Sequence, residues 1–145
     1  MAKPDKLPEL ENTWFLALVN EDPRRRNGLA VYLVNATAEG ARVTLHRSAF
    51  LDMPSGAFPV GDAARLHNDE DLGEVAPRTS VCLADGLSPS SDLCFCFWVT
   101  LHGTDGTPRE IGFSAFPEDI YFEHCPPVEV PVLTRLAVAY LPHRH

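Results

Sequence analysis

Apolar side chains recur at every second position from residue 93 to 101 (Leu93, Phe95, Phe97, Val99, Leu101), and the run stops at Gly103-Thr104-Asp105-Gly106-Thr107. A second alternating run follows, with Ile111, Phe113 and Ala115 in step. Period-two hydrophobicity on both sides of a glycine-bearing turn predicts a β-hairpin with one buried face. The pattern recurs nearer the N-terminus. An apolar run over residues 14–20 ends in a polar stretch containing Asp22-Pro23 and Asn27-Gly28, both turn formers, and a new run starts at Leu29. There Leu29, Val31 and Leu33 alternate with Ala30, Tyr32 and Val34, so both sides are apolar, as expected of a central strand covered on two faces. Val43 and Leu45 alternate with Arg42, Thr44 and His46, which predicts a strand with one wet face. Over 79–84, Val81 and Leu83 oppose Cys82 in a further short strand.

Between residues 48 and 75 the alternation dissolves into Gly, Pro, Asp and Asn, and this stretch reads as one long connection. Connections of that length in a small domain are usually functional, so a partner surface is expected there first. The stretch 128–141 begins with alternation at Val128, Val130 and Val132, then shows helical spacing at Leu133, Leu136, Ala137 and Tyr140. Pro131 confines its first half to an edge strand, and the second half reads as a strand or a short helix. Thirteen prolines in 145 residues favour short strands joined by irregular loops over a helical bundle. The expected architecture is all-β, an antiparallel β-sandwich of about seven strands with one long loop. A single domain over 14–141 follows a polar extension (1–13) and precedes a short tail (142–145).

The segment Leu72-Gly73-Glu74-Val75-Ala76-Pro77-Arg78-Thr79-Ser80-Val81 resembles the turn leading into a middle strand of many immunoglobulin-like and fibronectin-like bacterial domains. The resemblance implies an immunoglobulin-like sandwich and carries no activity or site with it. The chain departs from antibody-type domains in lacking their spaced cysteine, tryptophan, cysteine order.

Charge narrows the partners. A formal net charge of −8 opposes binding to phosphate backbones, so nucleic acid is not expected, whereas a basic protein partner would be attracted. Residues 1–13 lack the apolar core of a signal peptide, and no run approaches the roughly 18 apolar residues of a membrane span, so the expected location is cytoplasmic, away from membranes. The four cysteines are then expected to be reduced. Asn35-Ala36-Thr37 matches a glycosylation acceptor, without consequence in that compartment.

Two sets of residues could carry chemistry. Cys94 and Cys96 lie two apart in a strand and so share a face with Trp98, Thr100 and His102. Thiolate and imidazole suit zinc, and His46, Cys82, His124 or Cys125 could complete a tetrahedral set, or His102 or His124 could serve a cysteine nucleophile. Against this, free cysteine behaves as a small buried hydrophobe, and no Cys-x-x-Cys knuckle is present. The second set is polar: Arg24, Arg25 and Arg26 at a turn, and His67, Asp69, Glu70 and Asp71 in the long connection, whose spacing does not fit a twelve-residue calcium loop. The reading leans away from an enzyme. It expects a non-catalytic protein–protein interaction module that needs no cofactor, uses those polar residues to meet a partner, and could self-associate through a sheet edge. The alternative is a zinc-binding or cysteine-dependent enzyme built on Cys94, Cys96, His102, His124 and Cys125.

Overall fold

Ten strands are present in a computed structural model that describes residues 8–21, 28–53, 56–58, 65–87, 93–103, 106–115 and 127–142. They are β1 (Trp14–Asn20), β2 (Leu29–Asn35), β3 (Ala41–Met53), β4 (Gly56–Phe58), β5 (Arg65–Val75), β6 (Thr79–Leu87), β7 (Leu93–His102), β8 (Pro108–Ala115), β9 (Val128–Val130) and β10 (Arg135–Tyr140). A single 3-10 turn at Pro8–Leu10 precedes them. The protein is all-β, with two antiparallel sheets. The first runs β6-β2-β1-β10-β9 and the second β4-β3-β7-β8, with β5 pairing β3 as well.

The hairpin expected from alternation is β7 and β8. Phe97 faces Phe113, Val99 faces Ile111 and Leu101 faces Arg109 across the ladder. Gly106 supplies the positive φ (78°) that the turn requires, and its N–H donates to the Gly103 carbonyl at 3.1 Å. β2 is central, lying between β6 and β1, and is buried on both sides as its two apolar rows predict. In β6, Val31 pairs with Ala84 and Tyr32 with Cys82, so Leu83 is the extra residue of a bulge. Leu83 and Ala84 consequently both reach the core.

Two expectations are corrected. Residues 48–75 are not one long loop, and the strands number ten among the described residues rather than about seven. β3 continues to Met53, β4 pairs with its last three residues, and β5 pairs with its first part from Ala41–Val75 to Ser48–Arg65. Backbone N–H and C=O groups can pair whatever the side chains are, so a polar strand at a sheet edge leaves no hydrophobic signature. The ambiguous C-terminal stretch resolves into β9, a turn carrying Pro131, and β10. Leu136, 50% exposed, alternates with buried Ala137, so the helical spacing is coincidental.

Side chains from both sheets meet in one cluster. Leu16 and Leu18 of β1 and Val31 and Leu33 of β2 come from the first sheet, and Val43, Leu45, Phe97, Val99, Ile111 and Phe113 come from the second. Fully burying each such side chain stabilises by about 1.5–3 kcal/mol. The opposite face of the first sheet is also dry: Phe15, Ala17, Val19, Val34, Val130 and Ala137 form a second cluster with Leu10.

Asn35, at the end of β2, has no exposed surface. Its amide lies 2.9 Å from the Glu39 carbonyl, 3.3 Å from that of Val75 and 3.1 Å from that of Ala76, while its Oδ1 accepts from the Thr37 N–H at 2.9 Å. The chain crosses from the first sheet to the second between β2 and β3, and returns between β5 and β6. Asn35 therefore ties both crossings together, and Arg78 reinforces the tie by donating to the Ala36 carbonyl at 3.0 Å. Asn35→Ala would strand buried carbonyls and should cost about 2–4 kcal/mol. A chemical-denaturation midpoint unchanged from wild type would refute this role.

Candidate functional site

Alternation in β3, β7 and β8 turns one set of side chains into the core and the other outward; among the described side chains the outward set is mainly polar. Its cross-strand rows are Arg42–His102–Pro108, Thr44–Thr100–Glu110 and His46–Trp98–Gly112. Trp98 is the one large aromatic in these rows. Its indole lies over Gly112 so closely that a Cβ built there would sit 2.2 Å from Trp98 Cζ3. Glycine in this outermost strand lets the ring lie against the backbone. Trp98, His46 and Glu110 then line a shallow hollow of about 290 Å³.

The arrangement brings an aromatic face and a carboxylate to one spot, and together these can hold a cation: the ring quadrupole attracts it and the carboxylate pairs with it. At the margin, Arg42 pairs with Asp71 through Nη2, with its Nε 3.4 Å from Oδ1, and Asp71 Oδ1 also accepts the Gly73 N–H at 2.9 Å. The Arg42 guanidinium, and after it the Gly73 N–H, hold the Asp71 carboxyl below its usual range.

The residues singled out in the sequence are dispersed. His67, Asp69, Glu70 and Asp71 belong to strand β5 rather than to a loop: β3 pairs Leu45 with Glu70 and Thr44 with Asp71, and His67 and Asp69 fall in the register shift before the Arg47–Leu66 pair. Glu70 is exposed, Asp71 is engaged with Arg42, and the side chains of His67 and Asp69 lie outside the described residues. Arg24, Arg25 and Arg26 lie outside them too; the segment's flanks are joined by the Glu21 N–H donating to the Gly28 carbonyl at 2.8 Å. Cys94 and Cys96 occupy β7 opposite Phe50 and Ser48, on the register of Trp98, with their side chains outside the described set. His102 is exposed at the end of β7, and His124 and Cys125 lie outside the described residues. Among the described residues no group of three or more His, Cys, Asp or Glu is placed to hold a metal ion, and no helix is long and apolar enough to cross a membrane. The Trp98–Gly112 contact was missed in the sequence. Its signal was a glycine inside an alternating strand, which marks a close approach, but the partner could be named only with the hairpin register in hand.

A second polar arrangement lies on the first sheet. The Tyr32 hydroxyl donates to Glu21, whose other oxygen is 3.0 Å from Arg135 Nη1. Donation to this carboxylate raises the Tyr32 phenol to about 12, with partial burial adding to the shift, and the same bond holds Glu21 below its ordinary value.

No family model, curated protein or solved structure matches the chain.

Two outcomes follow. Gly112→Ala should displace the Trp98 ring, changing its fluorescence and costing about 1–3 kcal/mol by overpacking; an unaltered emission spectrum would show that the ring does not rest there. Tyr32, with its phenol raised, gives stability that is complete below about pH 10 and lost as pH rises toward about 12. Glu21, held low, gives stability present above its unfolded value and lost as pH falls below that through its depressed folded value. In a spectrophotometric titration of the three tyrosines, Glu21→Gln should return the most alkaline phenol toward 10, and an unchanged curve would contradict the assignment.

Proposed function

We propose that the protein is an immunoglobulin-like β-sandwich acting as a non-catalytic protein-interaction module, and that the outer face of its second sheet captures an exposed arginine or lysine of the partner. The observation that carries this reading is the Trp98 ring packed closely against Gly112, with Glu110 and His46 lining the same hollow. An aromatic anchor bordered by polar groups is the usual anatomy of an interface hot spot. A net charge of −8 steers basic partners toward the molecule, with an on-rate that falls as salt rises. The sandwich reading is supported by the core that the two sheets share.

Selection from a displayed peptide library tests the proposal. Peptides enriched by the wild-type protein should carry arginine or lysine. Trp98→Ala should weaken them about 30-fold, equivalent to about 2 kcal/mol. Glu110→Gln should weaken them several-fold and flatten the salt dependence. Enriched peptides without basic residues, or equal binding by both variants, would overturn the reading.

A further inference from the structure

A cleft of about 640 Å³ opens at one end of the two sheets. Its walls come from the start of β1 (Trp14), the β2–β3 turn into β3 (residues 37–41) and the β7–β8 hairpin (Leu101, Gly103, Thr107, Arg109). The size is that of a small-molecule site. Three observations about it converge.

The first is that the core is open here. Among the buried members of the cluster shared by the sheets, the three that keep the most exposed surface are Ala41 (9%), Trp14 (6%) and Leu101 (6%), and all three line this cleft. They make an apolar floor continuous with the interior.

The second is the position of Arg109. It pairs with Leu101 in the ladder and precedes Ile111 and Phe113 on the core-facing row of β8, so its inward-row position carries a cation to the mouth of the cleft. The other arginines with described side chains are paired: Arg42 with Asp71, Arg78 with Glu11 at 3.8 Å and Arg135 with Glu21. Among the described residues Arg109 forms no such pair. A cation left over an apolar floor, with donors in a planar fork, matches a carboxylate.

The third is rigidity. The wall opposite Arg109 is the β2–β3 turn, held by the buried Asn35 and by the Thr37 hydroxyl, which lies 2.6 Å from Asn35 Oδ1 and 2.8 Å from the Glu39 carbonyl. A wall that is already ordered loses little entropy on binding. Glu39 also lines the cleft and adds a negative charge to its surroundings. It disfavours a second anionic group on the ligand.

We propose that this cleft binds a small monocarboxylate with an aromatic or aliphatic body, its carboxylate on Arg109 and its apolar part against Trp14, Leu101 and Ala41. The site is separate from the Trp98 face, so the two proposals stand or fall independently.

The chain has two tryptophans, so in Trp98→Phe all tryptophan emission comes from Trp14 in the cleft. Titration of that variant with 4-phenylbutyrate should change the emission saturably. The neutral 4-phenylbutyramide and the dianionic phenylsuccinate should each bind at least ten times more weakly, as should 4-phenylbutyrate to the Arg109→Gln form, whereas Arg109→Lys should retain part of the affinity. Should Trp98→Phe not fold, methyl shifts of Ala41 and Leu101 in the wild-type protein report the same titration. Equal affinity for acid and amide, indifference to Arg109→Gln, or no saturation at millimolar ligand would overturn the proposal.

Discussion

The inward rows of the two sheets have no water to turn to, and the rest of the molecule is arranged around that exclusion. Leu16, Leu33, Leu45, Phe97 and Phe113 lie together essentially without exposed surface, and each is aimed there by alternation along its own strand. A one-residue slip in any of these strands would exchange its apolar row for its outward one. The register of β3, β7 and β8 is thereby imposed from within. The outward rows inherit that register, and so Trp98 stands opposite Gly112 because Val99 and Ile111 are paired beneath the surface.

The two sheets use their second faces differently. In the first sheet that face is a second dry cluster, with Phe15, Val19, Val34 and Ala137 buried, and its polar capacity shrinks to arrangements such as Tyr32–Glu21–Arg135. In the second sheet the outward rows are polar, and the ring of Trp98 is displayed among them. The first sheet is thus dry on both sides, whereas the second keeps a solvent-facing side. The cleft beyond Trp14 belongs to neither face. It arises where the inward rows run out before the connecting turns close over them.

Those turns are governed by polar chemistry rather than by burial of apolar surface. Asn35 is the single buried polar side chain among the described residues, and every hydrogen bond it makes is to the turns on either side of it. A satisfied buried amide adds little net stability but fixes one geometry, because any other leaves carbonyls unpaired in a dry place. The same residue also shows why a tripeptide match is not a site: the amide of Asn35-Ala36-Thr37 is already spent on Glu39, Val75 and Ala76.

Alternation alone was enough to predict an all-β chain with antiparallel pairing, the β7–β8 hairpin with its turn at Gly103–Thr107, the double burial of β2, and the inward placement of Phe97, Val99, Ile111 and Phe113, because burial of one face leaves a period of two in the residues themselves. It could not disclose β4 and β5, whose pairing to β3 uses backbone groups common to every residue, nor could it place His67–Asp71 in a strand. It was equally silent on what Trp98, Asn35 and Arg109 meet. Trp98 meets Gly112 across a hairpin, Asn35 meets Val75 and Ala76 across a sheet crossing, and Arg109 shares a cleft with Trp14, so these contacts depend on register and on which loop lies over which sheet end. Only the folded chain sets these, since they follow from packing the two layers together rather than from any local run of side chains.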